Sequence, residues 1–306
     1  MFSALESGIG LDVVVWLQAN GNPLLDMLGR LFHYLGLPVF YMPVLALAYW
    51  SLDKNLGRRM LFALVLSLAV VTALKLLFKA PRPYQAFPDL VIAKVFQTGY
   101  GIPSGHVSDS LVVWGYVVYT LKRRWLWGLL ALYVGLMAWS RMYVGVHYPQ
   151  DVIAGLFLGM VVLWVFVRIA DPVEAAWHRL NLQTQIAVVL LHVIVMVSFL
   201  FGSDDGMAAA GALLGSGLGY ILETHVIKFT VAGSALQRIV RYLIGIILAL
   251  VLFFGMDALF EGREPADILR IARYAAVTLF AVAIWPWLMG RLGLSRDLAE
   301  PVPAGS

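Results

Sequence analysis

MLFALVLSLAVVTALKLLF, residues 60–78, carries a single charge, Lys75, near its end. A helix needs about 20 apolar residues to cross the hydrocarbon core of a bilayer, and this run supplies them. Comparable stretches recur at roughly 30–50, 105–121, 126–142, 150–168, 184–201, 207–223, 240–260 and 269–290. The expectation is therefore an all-α fold, a polytopic membrane helical bundle of about nine transmembrane helices. Composition agrees, because 61% of the 306 residues are apolar and 13% charged. A soluble chain runs to about half apolar and a quarter charged. Ten Trp and thirteen Tyr, many near the ends of the apolar stretches, suit anchoring at the interface.

Ahead of the first span, IGLDVVVWLQA (9–19) is too short and too charged to cross. It reads as an interfacial helix closed by the turn signal Asn20-Gly21-Asn22-Pro23. Glu6 and Asp12, with no Lys or Arg in the first 20 residues, argue against a secretory signal peptide. The chain has no cysteine, which excludes disulfides, thiol nucleophiles and thiolate metal sites. A net charge of +4 requires no nucleic-acid partner, since the basic residues cluster in short loops.

Those loops orient the chain. Lys54, Arg58 and Arg59, then Lys122, Arg123 and Arg124, then Arg168 and Arg179 fall in alternate connections. Lys228, Arg238 and Arg241, then Arg291 and Arg296, continue the series, so this side is expected to be cytoplasmic. The opposite side holds Asp204 and Asp205, Glu261 and Glu264, and the long segment 79–104.

Three stretches on that opposite face carry polar residues where a membrane protein normally avoids them. They are Lys75-Leu-Leu-Phe-Lys-Ala-Pro81-Arg82-Pro83, Pro103-Ser104-Gly105-His106, and Ser140-Arg141 running through His147 to Asp151. Lys75, Arg82 and Arg141 gathered at one place need an anion to neutralise them. Ser104 stands as the N-cap of the following helix, whose first N–H groups and dipole favour an anion, and Gly105 allows close approach. Arg adds a planar fork for oxyanion oxygens. Pro149 suits the first turn of its helix, so Asp151 can reach back to one nitrogen of His147 and leave the other to attack. His106 can then act as general acid. No metal site is indicated, and no cofactor is expected.

These three motifs, in this order and spacing, resemble the signature of the type 2 phosphatidic acid phosphatase superfamily over roughly residues 30–170. The resemblance implies His147 as nucleophile, His106 as general acid and Asp151 as the partner of His147. It implies a phosphate cradle of Lys75, Arg82, Ser104, Gly105 and Arg141. The extra spans after 183 give a layout similar to glucose-6-phosphatase-like and sphingosine-phosphate phosphatase-like members.

Singly, each residue has a plainer reading. Lys75 could snorkel to the interface, Arg82 could be a solvated loop residue, and either histidine a satisfied polar group in a bundle. Asp151 could merely complement the helix dipole. Five such coincidences on one face weigh against them together. Asp109, three residues after His106, either orients that imidazole or faces water in the first turn. Gly211, Gly215 and Gly219 predict close helix packing. Glu223, His225 and Lys228 read as an ordinary solvated cluster at a span's end, or less readily as a second site.

The expected organisation is an interfacial helix (1–29), a phosphatase core (30–182), a C-terminal transmembrane module (183–290) and a cytoplasmic tail (291–306), with a composition shift near Asp171-Pro172. The expected activity is metal-independent hydrolysis of a lipid phosphate or diphosphate through a phosphohistidine. The site should face the periplasm or outside of a bacterial inner (plasma) membrane. Membrane lipids and the lipid phosphate substrate are the only partners implied, with no nucleic acid. Two rivals are a vanadate-dependent haloperoxidase-like enzyme, motivated by a shared pocket, and a lipid transporter, motivated by the extra spans.

Overall fold

The computed structural model describes residues 8–295, so Glu6, Arg296 and the tail from Asp297 lie outside the described residues. The described residues form an all-α membrane helical bundle. Its helices are α1 (Ile9–Ala19), α2 (Pro23–Tyr34), α3 (Pro38–Leu47), α4 (Lys54–Phe78), α5 (Pro83–Ala86), α6 (Gly105–Leu121) and α7 (Trp125–Tyr143). They continue as α8 (Pro149–Trp177), α9 (Leu182–Leu200), α10 (Asp204–Leu222), α11 (Ala235–Phe260), α12 (Ala266–Leu279) and α13 (Trp285–Arg291).

Among the described residues, five helices are long and apolar enough to cross a membrane: Lys54–Ala86, Pro149–Trp177, Leu182–Leu200, Ala235–Phe260 and Ala266–Arg291. A sixth arises if Pro23–Tyr34 and Pro38–Leu52, bent by 60°, count as one span. The expected nine are thus not reached by length and composition. Helix α6 has only 17 residues. Helix α7 closes on Ser140 and Arg141, and α10 opens on Asp204 and Asp205 and is otherwise rich in Gly and Ala. The stretch 30–50 is not one straight helix either. Pro38 cannot continue the preceding helix, and the break falls at residues 35–37.

Several expected loop cations belong to helices instead. Lys54, Arg58 and Arg59 open α4, Arg168 lies within α8, and Arg238 and Arg241 within α11. Arg58 and Arg59 both bind Glu174, and Arg59 also binds Asp171 at 2.6 Å. Pro172 sits inside α8, which runs on without a break to Trp177.

The chain forms two compact units. One takes the described residues through Tyr41 together with Leu66–Ala170, and the other takes Met42–Val65 and the described residues from Asp171. The first unit is built on Phe32, Val107, Val118, Leu130, Val134, Met137 and Val152. Helix α1 packs Leu11 and Val14 against Val91 and Tyr148, so it is a structural part of this unit as well as an apolar surface helix.

The second unit centres on Tyr49, Trp50, Phe229, Ile246 and Trp285. A π-helical stretch, Phe280–Ile284, leaves carbonyls available there: Trp50 Nε1 donates to Ala281 O at 2.8 Å and Tyr49 OH to Val282 O at 3.2 Å. The glycine spacing works as expected, because a Cβ at Gly211 or Gly215 would overlap the backbone of Ile271 or Ala275 on α12. The solvated reading of Glu223 is corrected. It is 2% exposed and accepts from Lys54 Nζ at 2.7 Å, since a buried carboxylate needs a charged partner. His225, by contrast, meets Gln185 Oε1 at 2.9 Å, and Lys228 is exposed, so the three do not form one site.

Candidate active site

All of the expected site residues converge within the first unit. Pro149 opens α8, as its fixed φ and missing N–H favour. Asp151 then turns its carboxylate back over the helix start. Its Oδ2 accepts from Tyr148 N at 3.0 Å and lies 3.3 Å from His147 Nδ1. Asp151 O accepts from Ser104 N at 3.0 Å, which ties the start of α8 to the start of α6. The 79–104 segment passes tightly beside them. A Cβ on Gly101 would stand 3.0 Å from Asp151 Oδ2 and 3.2 Å from Pro81 O, so glycine suits the close approach.

Arg82, fully buried, donates through Nε to Gly99 O at 3.1 Å and through Nη2 to Thr98 O at 2.9 Å. Its Nη1 reaches Val146 O at 3.0 Å and His147 Nε2 at 3.2 Å. Arginine can only donate, so His147 Nε2 is the accepting, unprotonated nitrogen, and Nδ1 carries the proton toward Asp151. Burial pushes the His147 imidazole well below its ordinary range, and the cations of Arg82 and Lys75 push the same way. His147 is therefore neutral, with one nitrogen tied to a carboxylate and the other among cations.

Ser104 occupies the N-cap position of α6, yet its side chain makes no cap hydrogen bond. Ser104 Oγ, His106 Nε2 and Arg141 Nε are buried without a hydrogen-bond partner among the described residues. Buried polar atoms are normally satisfied, so three orphans in one cluster point to a polar ligand. Lys75 is 7% exposed, and a Cβ built on Gly105 would stand 3.8 Å from its Nζ, which places the ammonium beside the helix start. Arg82 and Arg141 are fully buried. Three buried cations gathered in one unit suit a multiply charged oxyanion. Among the described residues no group of three or more His, Cys, Asp or Glu is arranged to hold a metal ion.

Asp109 does not face water. It is 5% exposed and accepts from Ser67 Oγ at 2.6 Å, which binds it to α4. The sequence reading missed His33, whose ring stacks on His106 with centroids 5.4 Å apart and planes 9° apart. It also missed the tie that holds the 79–104 segment: Asp26 accepts from Lys94 Nζ and from Tyr143 OH, each at 2.6 Å. Gln18 adds two bonds to the Ile92 backbone, at 2.8 and 3.0 Å. No spacing rule reveals such partners, which lie 49 to 117 positions apart within the Asp26 cluster.

Residues 56–174 match the model of the PAP2 superfamily, and residues 207–297 match that of the PAP2 superfamily phosphatase, transmembrane extension. Among curated proteins, the sphingosine-1-phosphate phosphatase 1 of Rattus norvegicus is 27% identical over 62% of this chain and 46% of its own length. The undecaprenyl-diphosphatase of Sulfolobus acidocaldarius is 29% identical over 54% of this chain and 81% of its own. The chain thus spans just under half the length of that rat relative. The crystal structure of Aquifex aeolicus LpxE superposes with a TM-score of 0.47 at 25% identity, covering 53% of this chain and 96% of that one. The ordered motifs, and two models of one superfamily that together take in more than half of the chain, make it a member of the PAP2 superfamily that carries the transmembrane extension.

Proposed function

We propose that this protein is a lipid phosphatase in which His147 attacks phosphorus and no metal takes part. The observation that carries this is the opposed environment of one imidazole: Nδ1 lies 3.3 Å from Asp151, while Nε2 lies 3.2 Å from Arg82. In the first step Nε2 forms an N–P bond as the P–O bond to the lipid alcohol breaks. His106 gives its proton to the departing alkoxide. In the second step His106 takes a proton from water, whose oxygen attacks phosphorus, and the N–P bond breaks to release inorganic phosphate. Lys75, Arg82, Arg141, the Ser104 hydroxyl and the first amides of α6 stabilise the charge on the phosphoryl oxygens. Asp151 steadies the imidazolium.

An amphipathic substrate fits the surroundings. Leu90, Ile92 and Phe96 of the 79–104 segment are 56%, 70% and 87% exposed, an apolar edge next to the site suited to contact with lipid. The relatives' names, a sphingoid phosphate and an undecaprenyl diphosphate, are of the same chemical kind. Purified protein should release phosphate from at least one of phosphatidic acid, phosphatidylglycerol phosphate, an isoprenyl diphosphate, a sphingoid phosphate or lipid A phosphate. Activity should persist in excess EDTA and fall with vanadate, a mimic of the pentacoordinate state. Turnover lost on chelation and restored by a divalent ion would overturn the metal-free mechanism.

The site is read as facing away from the cytoplasm. Helix α6 runs from Gly105 at the site to Leu121 beside the basic turn Lys122-Arg123-Arg124, and its 17 residues span about 25 Å. Asp89→Cys, on the exposed loop of this cysteine-free chain, should react with an impermeant maleimide in intact cells, and Arg123→Cys should not. Labelling at 123 alone would reverse the orientation.

A further inference from the structure

Helix α2 lies against the end of α7 through Gly29. A Cβ there would stand 2.9 Å from Tyr143 Cδ1 and 3.1 Å from Val144 Cγ1. Gly29 O accepts from Ser140 Oγ at 2.8 Å, and Ser140 Oγ accepts from Arg141 Nη2 at 2.9 Å. Four residues on, hence on the same face, comes His33, 6% exposed. Its Nδ1 lies 2.9 Å from Arg141 Nη1. Because the guanidinium only donates, Nδ1 must be unprotonated and the ring proton must sit on Nε2. The same ring stacks on His106. Just past the helix end, Gly36 also lies against His106: an added Cβ would overlap the ring at Cδ2 and stand 2.9 Å from Cγ.

We infer that His33 is a positioning residue of the active site, whose Nδ1 and ring face hold two reacting groups at once. This rests on the phosphatase reading above. Ser140 and His33 accept from the two terminal nitrogens of Arg141, which leaves Nε, buried without a partner, to meet a phosphoryl oxygen. Without the Nδ1 acceptor, a buried guanidinium N–H loses its partner and the fork turns to find another. The stack fixes the plane of His106, and with it the direction of Nε2, also buried without a partner. Misplacing a reacting group by about 1 Å can cost about 10²-fold in rate.

The two roles separate by substitution. In His33→Asn the amide oxygen can stand where Nδ1 stood, so Arg141 keeps its acceptor while His106 loses its plate. In His33→Phe a ring face remains and the acceptor is lost. Charge on the phosphoryl group develops whatever the leaving group, whereas the general acid matters mainly for a poor one. On p-nitrophenyl phosphate, His33→Asn should therefore keep kcat within about threefold of wild type. On phosphatidic acid in micelles it should fall about tenfold or more. His33→Phe should fall about tenfold or more on both esters. Gly36→Ala, whose added Cβ meets the His106 ring first, should behave like His33→Asn. Thermal unfolding in detergent would confirm that each variant compared is folded. Equal losses on both esters in His33→Asn, or wild-type kcat in both His33 variants, would overturn the inference. Wild-type protein inactive on the whole lipid panel would instead sink the phosphatase reading, a different result from an active enzyme indifferent to His33.

Discussion

His147→Ala should be inactive on every phosphate ester, while His106→Ala should lose the lipid and keep much of its activity on p-nitrophenyl phosphate. The two imidazoles sit in one cluster but are held differently. His147 is locked between Asp151 and Arg82, so removing it removes a nitrogen with a carboxylate behind the ring and cations ahead of it. A loss of about 10⁴-fold or more is expected on both substrates, as when a nucleophile is deleted from a catalytic triad. His106 opens α6 with Nε2 buried and unpartnered among the described residues, as suits a group that hands its proton to the leaving oxygen. A lipid alkoxide needs that proton, so about 10²–10⁴-fold should be lost there. p-Nitrophenolate departs without it, and much of the rate should survive. Rescue of His147→Ala by the aryl ester, with none for His106→Ala, would show the roles reversed. The same pair decides against a transporter, for which loss of His147 would leave lipid movement intact.

Asp151→Asn should cost about 10³–10⁴-fold in kcat with the fold preserved. The amide oxygen can still accept from Tyr148 N and His147 Nδ1, so the start of α8 and the ring orientation survive. In the proposed mechanism, what disappears is the negative charge that steadies the imidazolium once the N–P bond has formed. The cost should thus appear in kcat rather than in substrate binding, with an unchanged unfolding temperature in detergent. A loss smaller than tenfold would mean that Asp151 serves only to cap the helix.

The resemblance to the PAP2 superfamily rested on order and spacing alone, and those are properties of a linear chain. Pro149 ahead of Asp151 places the carboxylate in the first turn, from which it reaches back to Tyr148 N and His147 Nδ1 just before the helix, a local contact of the capping-box kind. The apolar runs and the glycines at 211, 215 and 219 are local in the same sense, because periodicity and the missing side chain act wherever the helix lies. The number of crossings was less secure. Helix α6 at 17 residues, the aromatic and Arg-bearing α7 and the Gly-rich α10 are helices whose hydropathy does not by itself define a span.

Only the tertiary structure decided which distant groups meet. Arg82 finds the Nε2 of His147 65 positions away, and Arg141 finds His33 108 positions away. Ser104 reaches the cap position but keeps its hydroxyl out of the cap, and Glu223 is drawn inside by Lys54 across 169 residues. The physical reason is common to all of these. A buried charge or polar atom must be paired wherever the fold happens to supply a partner, and that choice depends on helix packing rather than on sequence spacing.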